Sequence, residues 1–191
     1  WLVFDEYSAL LTQDGIKEVD DAYRDAASLL QQGSSDLYAS VVVDEAQDMG
    51  TQAFKLIRQL VTEGPNDIFI VGDGHQRIYG RNKVVLGQCG INIRGRASKL
   101  KINYRTTDEI RKWAVNLLDG HSVDDLDGDF DNQQGYKSLM HGSLPQLENF
   151  SSVNEQSDFI VRLLQKRIQE GISLHNICIV ARVNSELEII S

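Results

Sequence analysis

The stretch that most constrains this chain is Val41-Val42-Val43-Asp44-Glu45-Ala46-Gln47-Asp48. An unbroken β-branched run reads as a strand buried on both faces, as in a parallel sheet. It stops at two adjacent carboxylates. In open parallel sheets ligands sit beyond the carboxyl ends of the strands, and an acidic pair there can hold Mg²⁺ and orient an attacking water. The competing reading is that an acid after a strand only caps the next helix, with Asp48 the candidate. The segments downstream decide between the two.

Helix and strand patterns alternate along the chain, so α/β is the expected class. The first part, to about Gly33, reads as helical, with Ala22, Ala26, Leu29 and Leu30 at helical spacing. After the strand at about Ser40 to Asp44, the spacing of Phe54, Ile57, Leu60 and Val61 predicts a helix from about Thr51 to Glu63. Gly64-Pro65-Asn66-Asp67 is a turn. A second buried strand, Ile68-Phe69-Ile70-Val71, ends in Gly72-Asp73-Gly74-His75-Gln76, which completes a βαβ unit. Lys99 to Asn103 reads as a third strand. Thr106-Thr107-Asp108-Glu109 fits a capping box ahead of a helix that should end at Gly120. The Asp-rich loop from His121 to Gly135 is not an EF-hand, because Phe130 stands where the sixth-position glycine belongs and Tyr136 where the twelfth-position glutamate belongs. A further amphipathic helix is expected over Ser157 to Glu170, a buried strand over Ile177 to Ala181, and a helix start at Asn184.

Net charge is −9, which taken alone disfavours nucleic acid. Its distribution argues the other way. From Gly74 to Thr107 there is no acid, while Arg77, Arg81, Lys83, Arg94, Arg96, Lys99, Lys101 and Arg105 all fall there. A local basic surface on an acidic chain suits phosphates. Cys89 and Cys178 are isolated, which indicates neither a disulfide framework nor a zinc site and fits a cytoplasmic setting. No apolar run approaches a membrane span, and none of these residues reads as a signal peptide. The chain begins at Trp1 and ends just after Glu188-Ile189-Ile190, so we expect a piece of a longer protein.

Four features now fall in order: Asp44-Glu45, then Gly72-Asp73 with Gln76, then Tyr79, then Asn103-Tyr104-Arg105. The segments VVVDEAQD, IFIVGDGHQRIYG and LKINYRTTDEI resemble motifs II, III and IV of the UvrD/Rep-like superfamily 1 DNA helicases. The resemblance implies a RecA-like parallel sheet of the P-loop NTPase type, incomplete here, running from the first motor domain (residues 1–97) into the second (98–191). It implies ATP and Mg²⁺ as cofactors. Asp44 would hold the metal, with Glu45 beside it orienting and deprotonating the attacking water. Gln47 would support the phosphate site, and Gln76 would sense the γ-phosphate. Arg105 resembles the arginine finger, a contact worth about 10³–10⁵ in rate; the alternative is a surface salt bridge, for example to Asp108. Tyr104 would stack on adenine. Tyr79 would stack on a base of single-stranded DNA, with Arg81 and Lys83 beside it, though tyrosines at such positions also serve as plain core.

Two departures stand out. Arg81 occupies a position that is usually aromatic in these helicases. No G-x-x-x-x-G-K-[ST] occurs in the 191 residues, so no amide cradle with its lysine holds the β- and γ-phosphates. The expected function is therefore the central part of an ATP-dependent helicase that moves on single-stranded DNA or DNA junctions, inactive without the remainder of the polypeptide and unconnected to membranes. A non-hydrolysing helicase-like regulatory module is the alternative. A third reading, an unrelated Mg²⁺-dependent phosphohydrolase, predicts carboxylates at further strand ends, where only Asp73 occurs.

Overall fold

The computed structural model describes residues 1–33, 37–77, 84–124, 130–131 and 135–188. The chain divides into two compact units, Trp1–Gly142 and Ser143–Ser191. It is mixed α/β with small parallel sheets.

The first unit opens with two helices, α1 (Leu2–Asp14) and α2 (Val19–Gln32). The helical run predicted up to Gly33 is broken at Gly15, whose φ of 65° ends α1 in the left-handed conformation that glycine adopts freely. On α2 it is Ala27 that is buried, whereas Leu29 is exposed. This helix lies against α3 (Thr51–Gln59). Between them in sequence comes β1 (Val41–Val43), which pairs in parallel with β2 (Ile68–Ile70) in the register Val41↔Ile68, Val42↔Phe69 and Val43↔Ile70. The predicted strand–helix–strand unit is present. The core sits on one face of this pair, where Val43, Ala46, Phe54, Val84, Leu86, Cys89 and Ile91 close around each other.

The strands are not buried on both faces as their composition suggests. Val42 is 72% exposed and its register partner Phe69 is 63% exposed. The side chains of a strand alternate between faces, and among the described residues one face alone has a covering layer.

The turn before β2 is fixed by an ion pair. Arg58 Nη1 on α3 meets Asp67 Oδ2 at 2.7 Å, and Asp67 also accepts the amides of Gly64 and Ile68.

A second parallel pair joins β3 (Ile102–Thr107) to β6 (Lys137–Met140), followed on the β3 side by α4 (Asp108–Asn116). Strand β3 lies three residues later than its predicted start at Lys99. The cap of α4 falls on Thr107, whose Oγ1 accepts the amide of Ile110. The box expected from Thr106 is displaced by one residue, and Glu109 reaches out instead to His141 and the amide of Gly142. Strands β4 (Val123–Asp124) and β5 (Phe130–Asp131) form a small antiparallel ribbon within the Asp-rich segment; residues 125–129 of the rejected EF-hand pattern lie outside the described residues.

The second unit contains α5 (Val153–Gln169), capped by Ser152 through the amide of Glu155, and the short α6 (Asn184–Leu187). The strand expected over Ile177 to Ala181 is not formed. The segment has no regular structure and Val180 is 85% exposed, because no other strand of this unit among the described residues offers it a ladder.

Candidate functional site

Strand β1 delivers its carboxylates at an abrupt bend. Asp44 is exposed, and its Oδ1 accepts the amide of Glu45 at 2.9 Å. Glu45 has φ 51° and ψ 40°, a left-handed conformation uncommon outside glycine. Holding a glutamate there costs of order 1–3 kcal/mol, and such strain clusters at functional sites. The bend is held from both sides. The amide of Ala46 donates to the Val71 carbonyl at 3.0 Å, and the amide of Asp48 donates to the Glu45 carbonyl at 3.1 Å. Ala46 is fully buried and anchors the 3₁₀ turn Ala46–Asp48 in the core. Asp48 does not cap α3. The N-cap is Gly50, with no side-chain cap bond, so the capping explanation for this acidic cluster falls.

Gln47 is the most enclosed polar residue of the site, 3% exposed. Its Nε2 donates to Glu45 Oε2 at 2.6 Å, its Oε1 accepts the amide of Asp73 at 3.0 Å, and its carbonyl accepts Arg77 Nε at 3.1 Å. Gly72 makes this possible. A Cβ on Gly72 would lie 3.0 Å from Gln47 Oε1 and 3.2 Å from the Gln47 backbone nitrogen.

At the end of β2, Asp73 organises the 3₁₀ turn Gly74–Gln76. Its Oδ1 accepts the amide of His75 at 3.0 Å, and its Oδ2 accepts Gln76 Nε2 at 2.8 Å. Asp44, Glu45, Gln47 and Gln76 thus share one end of the β1–β2 pair.

Tyr104 and Arg105 stand on the other parallel pair. Asn103 Oδ1 accepts the amides of Arg105 at 2.8 Å and Thr106 at 3.3 Å, while Nδ2 donates to Thr106 Oγ1 at 2.6 Å. The register shifts between Asn103 and Thr107, which marks a bulge. Tyr104 is 78% exposed, and Arg105 is also exposed. Asp108, the alternative partner for Arg105, is committed elsewhere: it binds Arg111 at 2.7 Å and Lys112 at 2.8 Å and accepts the amide of Ser138. Lys112 and Arg111, followed by that amide, hold its carboxyl well below the usual carboxylate range. The Arg105 guanidinium has no hydrogen bond or ion pair among the described residues. Tyr79, Arg81 and Lys83 lie outside the described residues.

Sequence reading missed the roles of Gly72 and Asn103. The Gly72 contact spans 25 residues of chain and carries no local signal. An Asn two residues before an exposed Arg at a strand end is a local signal for a side-chain-held bulge.

Among the described residues no group of three or more His, Cys, Asp or Glu side chains could hold a metal ion. Mg²⁺ needs no such cage, since it is commonly held by one or two carboxylates with substrate phosphates and waters. Asp44 Oδ2 and Glu45 Oε1 accept no hydrogen bond among the described residues, so the pair fits that ion.

Two parallel strands thus end in an Asp-Glu pair and in a Gly-Asp-x-x-Gln turn on one mixed α/β segment. The family described as the UvrD/REP helicase N-terminal domain matches residues 3–84. Over 185 residues the chain is 26% identical to the ATP-dependent DNA helicase HMI1, mitochondrial, of Saccharomyces cerevisiae; the alignment takes in 91% of this chain and 26% of that protein. The match thus covers residues 3–84 of this chain, and the chain spans about a quarter of the length of that relative. No helix among the described residues is long and apolar enough to cross a membrane.

Proposed function

We propose that this chain is the central piece of an ATP-dependent DNA helicase or translocase, in which hydrolysis drives movement on single-stranded DNA. The observation that carries the reading is Glu45: an exposed carboxylate at a strand end, in a strained backbone conformation, with one oxygen fixed by a buried amide. A general base must be held in place relative to its water, and this arrangement holds one. In the proposal β1–β2 belongs to a first RecA-like domain, residues 1–97, and β3–β6 to a second, residues 98–191. Asp44, with Glu45 beside it, would hold Mg²⁺, which supplies charge neutralisation to the phosphates when bound. Gln76 would read the γ-phosphate from its turn. Arg105, without a protein partner among the described residues, would serve as the finger, and the exposed Tyr104 ring would stack on the base. Tyr79, Arg81 and Lys83 would meet single-stranded DNA. The free cysteines Cys89 and Cys178 fit a reducing compartment such as the cytoplasm.

The test is Glu45→Gln in the intact protein. DNA-stimulated ATP turnover should be abolished while ATP binding persists, since size and hydrogen-bonding capacity are kept. Near-normal turnover would refute the assignment. The rival is a helicase-like module that never hydrolyses ATP, and a G-x-x-x-x-G-K-[ST] upstream in the intact protein is what separates the two. An intact protein that carries that motif and turns over ATP excludes it.

A further inference from the structure

We propose that Gln47 is a positioning residue, which fixes the Glu45 carboxylate and ties it to the Gln76 turn rather than contacting phosphate itself. This rests on the reading of Glu45 as the base.

Both ends of the Gln47 amide are spent inside the protein. Its orientation is dictated by its neighbours. A carboxylate can only accept, so Nε2 must face Glu45 Oε2; a backbone N–H can only donate, so Oε1 must face the Asp73 amide. The flipped amide would set oxygen against oxygen and N–H against N–H. The result is a continuous path: Glu45 carboxylate, Gln47 amide, Asp73 backbone, Asp73 carboxylate, Gln76 amide. Arg77 closes it by donating to the Gln47 carbonyl.

Residue type and position are both constrained. Asparagine is one methylene short of spanning Glu45 and Asp73. Glutamate would place like charges in contact and could not donate. Gly72 keeps the space above the amide clear. Buried at 3% exposure, the amide acts in a low-dielectric setting where a satisfied network is rigid and a broken one is costly. A phosphate that draws on Gln76 would shift Asp73, and through Gln47 it would shift Glu45. Nucleotide sensing and placement of the base are one mechanical unit.

The test uses the intact helicase with Gln47→Met, which keeps volume and removes both bonds, and Gly72→Ala, which displaces the amide without changing it. Each should lower kcat for DNA-stimulated ATP hydrolysis about 10- to 100-fold, the scale of a reactive group misplaced by about 1 Å. KM for ATP should stay within about threefold, because no phosphate contact is lost. In a Glu45→Gln background, Gln47→Met should change the residual turnover little, since a positioner has nothing left to position. Turnover within threefold of the parent in either folded variant would overturn the proposal. So would a KM rise that accounts for the loss, which marks direct phosphate binding, or losses that multiply in the double variant. If Gln47→Met does not fold, Gly72→Ala and the milder Gln47→Asn decide by the same criteria. If Glu45→Gln itself is active, the base assignment fails and this proposal falls with it; if Glu45→Gln is dead and Gln47→Met is normal, only the positioning role fails.

Discussion

Asp67→Ala offers the sharpest test of how the site-bearing strands are held. The side chains of Arg58 and Asp67 are 12% and 9% exposed, and the pair meets at 2.7 Å. Arg58 also donates to the Val61 carbonyl at 2.9 Å, and Asp67 accepts two amides from the turn that launches β2. Removing one partner of a fully buried pair costs about 3–5 kcal/mol, because the remaining charge is left uncompensated. Arg58 keeps its carbonyl and some solvent, so the expected loss is about 2–4 kcal/mol. With a urea m-value of roughly 2 kcal/mol/M, the midpoint should fall by about 1–2 M. Replacing both residues, as Arg58→Met with Asp67→Leu, should cost less than the sum of the single changes, since no orphaned charge remains. The pH dependence has a definite sign. Burial pushes the Asp67 carboxyl up, but the Arg58 guanidinium and the amides of Gly64 and Ile68 outweigh it and hold the carboxyl below its ordinary range. Its contribution is thus fully present above the unfolded value near ~3.9 and is lost as pH falls through the folded value. Asp67→Ala should erase that part of the acid sensitivity. A midpoint shift worth less than about 0.5 kcal/mol, a typical surface substitution, would refute the reasoning.

Other consequences can be measured directly. Phe54 has no exposed surface and sits against Val43 and Ala46 in the core, so Phe54→Ala should cost about 3–5 kcal/mol in the same urea titration. Arg105→Ala in the intact protein should cut ATP turnover by about 10³-fold or more, with circular dichroism unchanged, since the exposed guanidinium makes no hydrogen bond or ion pair among the described residues. Tyr79→Ala should weaken single-stranded DNA binding by ~1–3 kcal/mol, read with fluorescent oligonucleotides, with the slope of log affinity against log salt unchanged; Lys83→Ala should lower that slope if its ammonium meets a phosphate.

The elements that sequence made legible are those with local causes. The apolar runs at 41–43 and 68–70 became strands, Phe54 and Ile57 became the core-facing side of a helix that ends at Gln59, short of the expected Glu63, with Val61 beyond it in a bridge to Tyr38, and a polar turn closed each strand. Composition could not reveal which faces are covered. Val42 and Phe69 look like core residues and are exposed, because burial depends on a layer supplied from elsewhere in a structure and not on the run itself. Ile177 to Ala181 failed for the related reason that a strand exists only with a partner.

The candidate site divides along the same line. Its candidate residues could be picked out from residue types at strand ends, where carboxylates, an amide and a guanidinium follow in order. Its mechanics could not, because they are made across the gap between strands. Gln47 looks from sequence like one more polar side chain available to a ligand, yet the Asp73 amide 26 residues away takes its oxygen and Glu45 takes its N–H. Gly72 looks like ordinary turn punctuation, yet what matters is the absence of a Cβ above that amide. The parallel register sets these contacts: pairing Val43 with Ile70 brings Gly72 and Asp73 level with the bend at Glu45 and Gln47. A slip of one residue would send every side chain of the strand to the opposite face and separate Gln47 from Asp73. The residues in the strands therefore set the geometry of the Glu45 carboxylate, the proposed base, through the register their packing enforces.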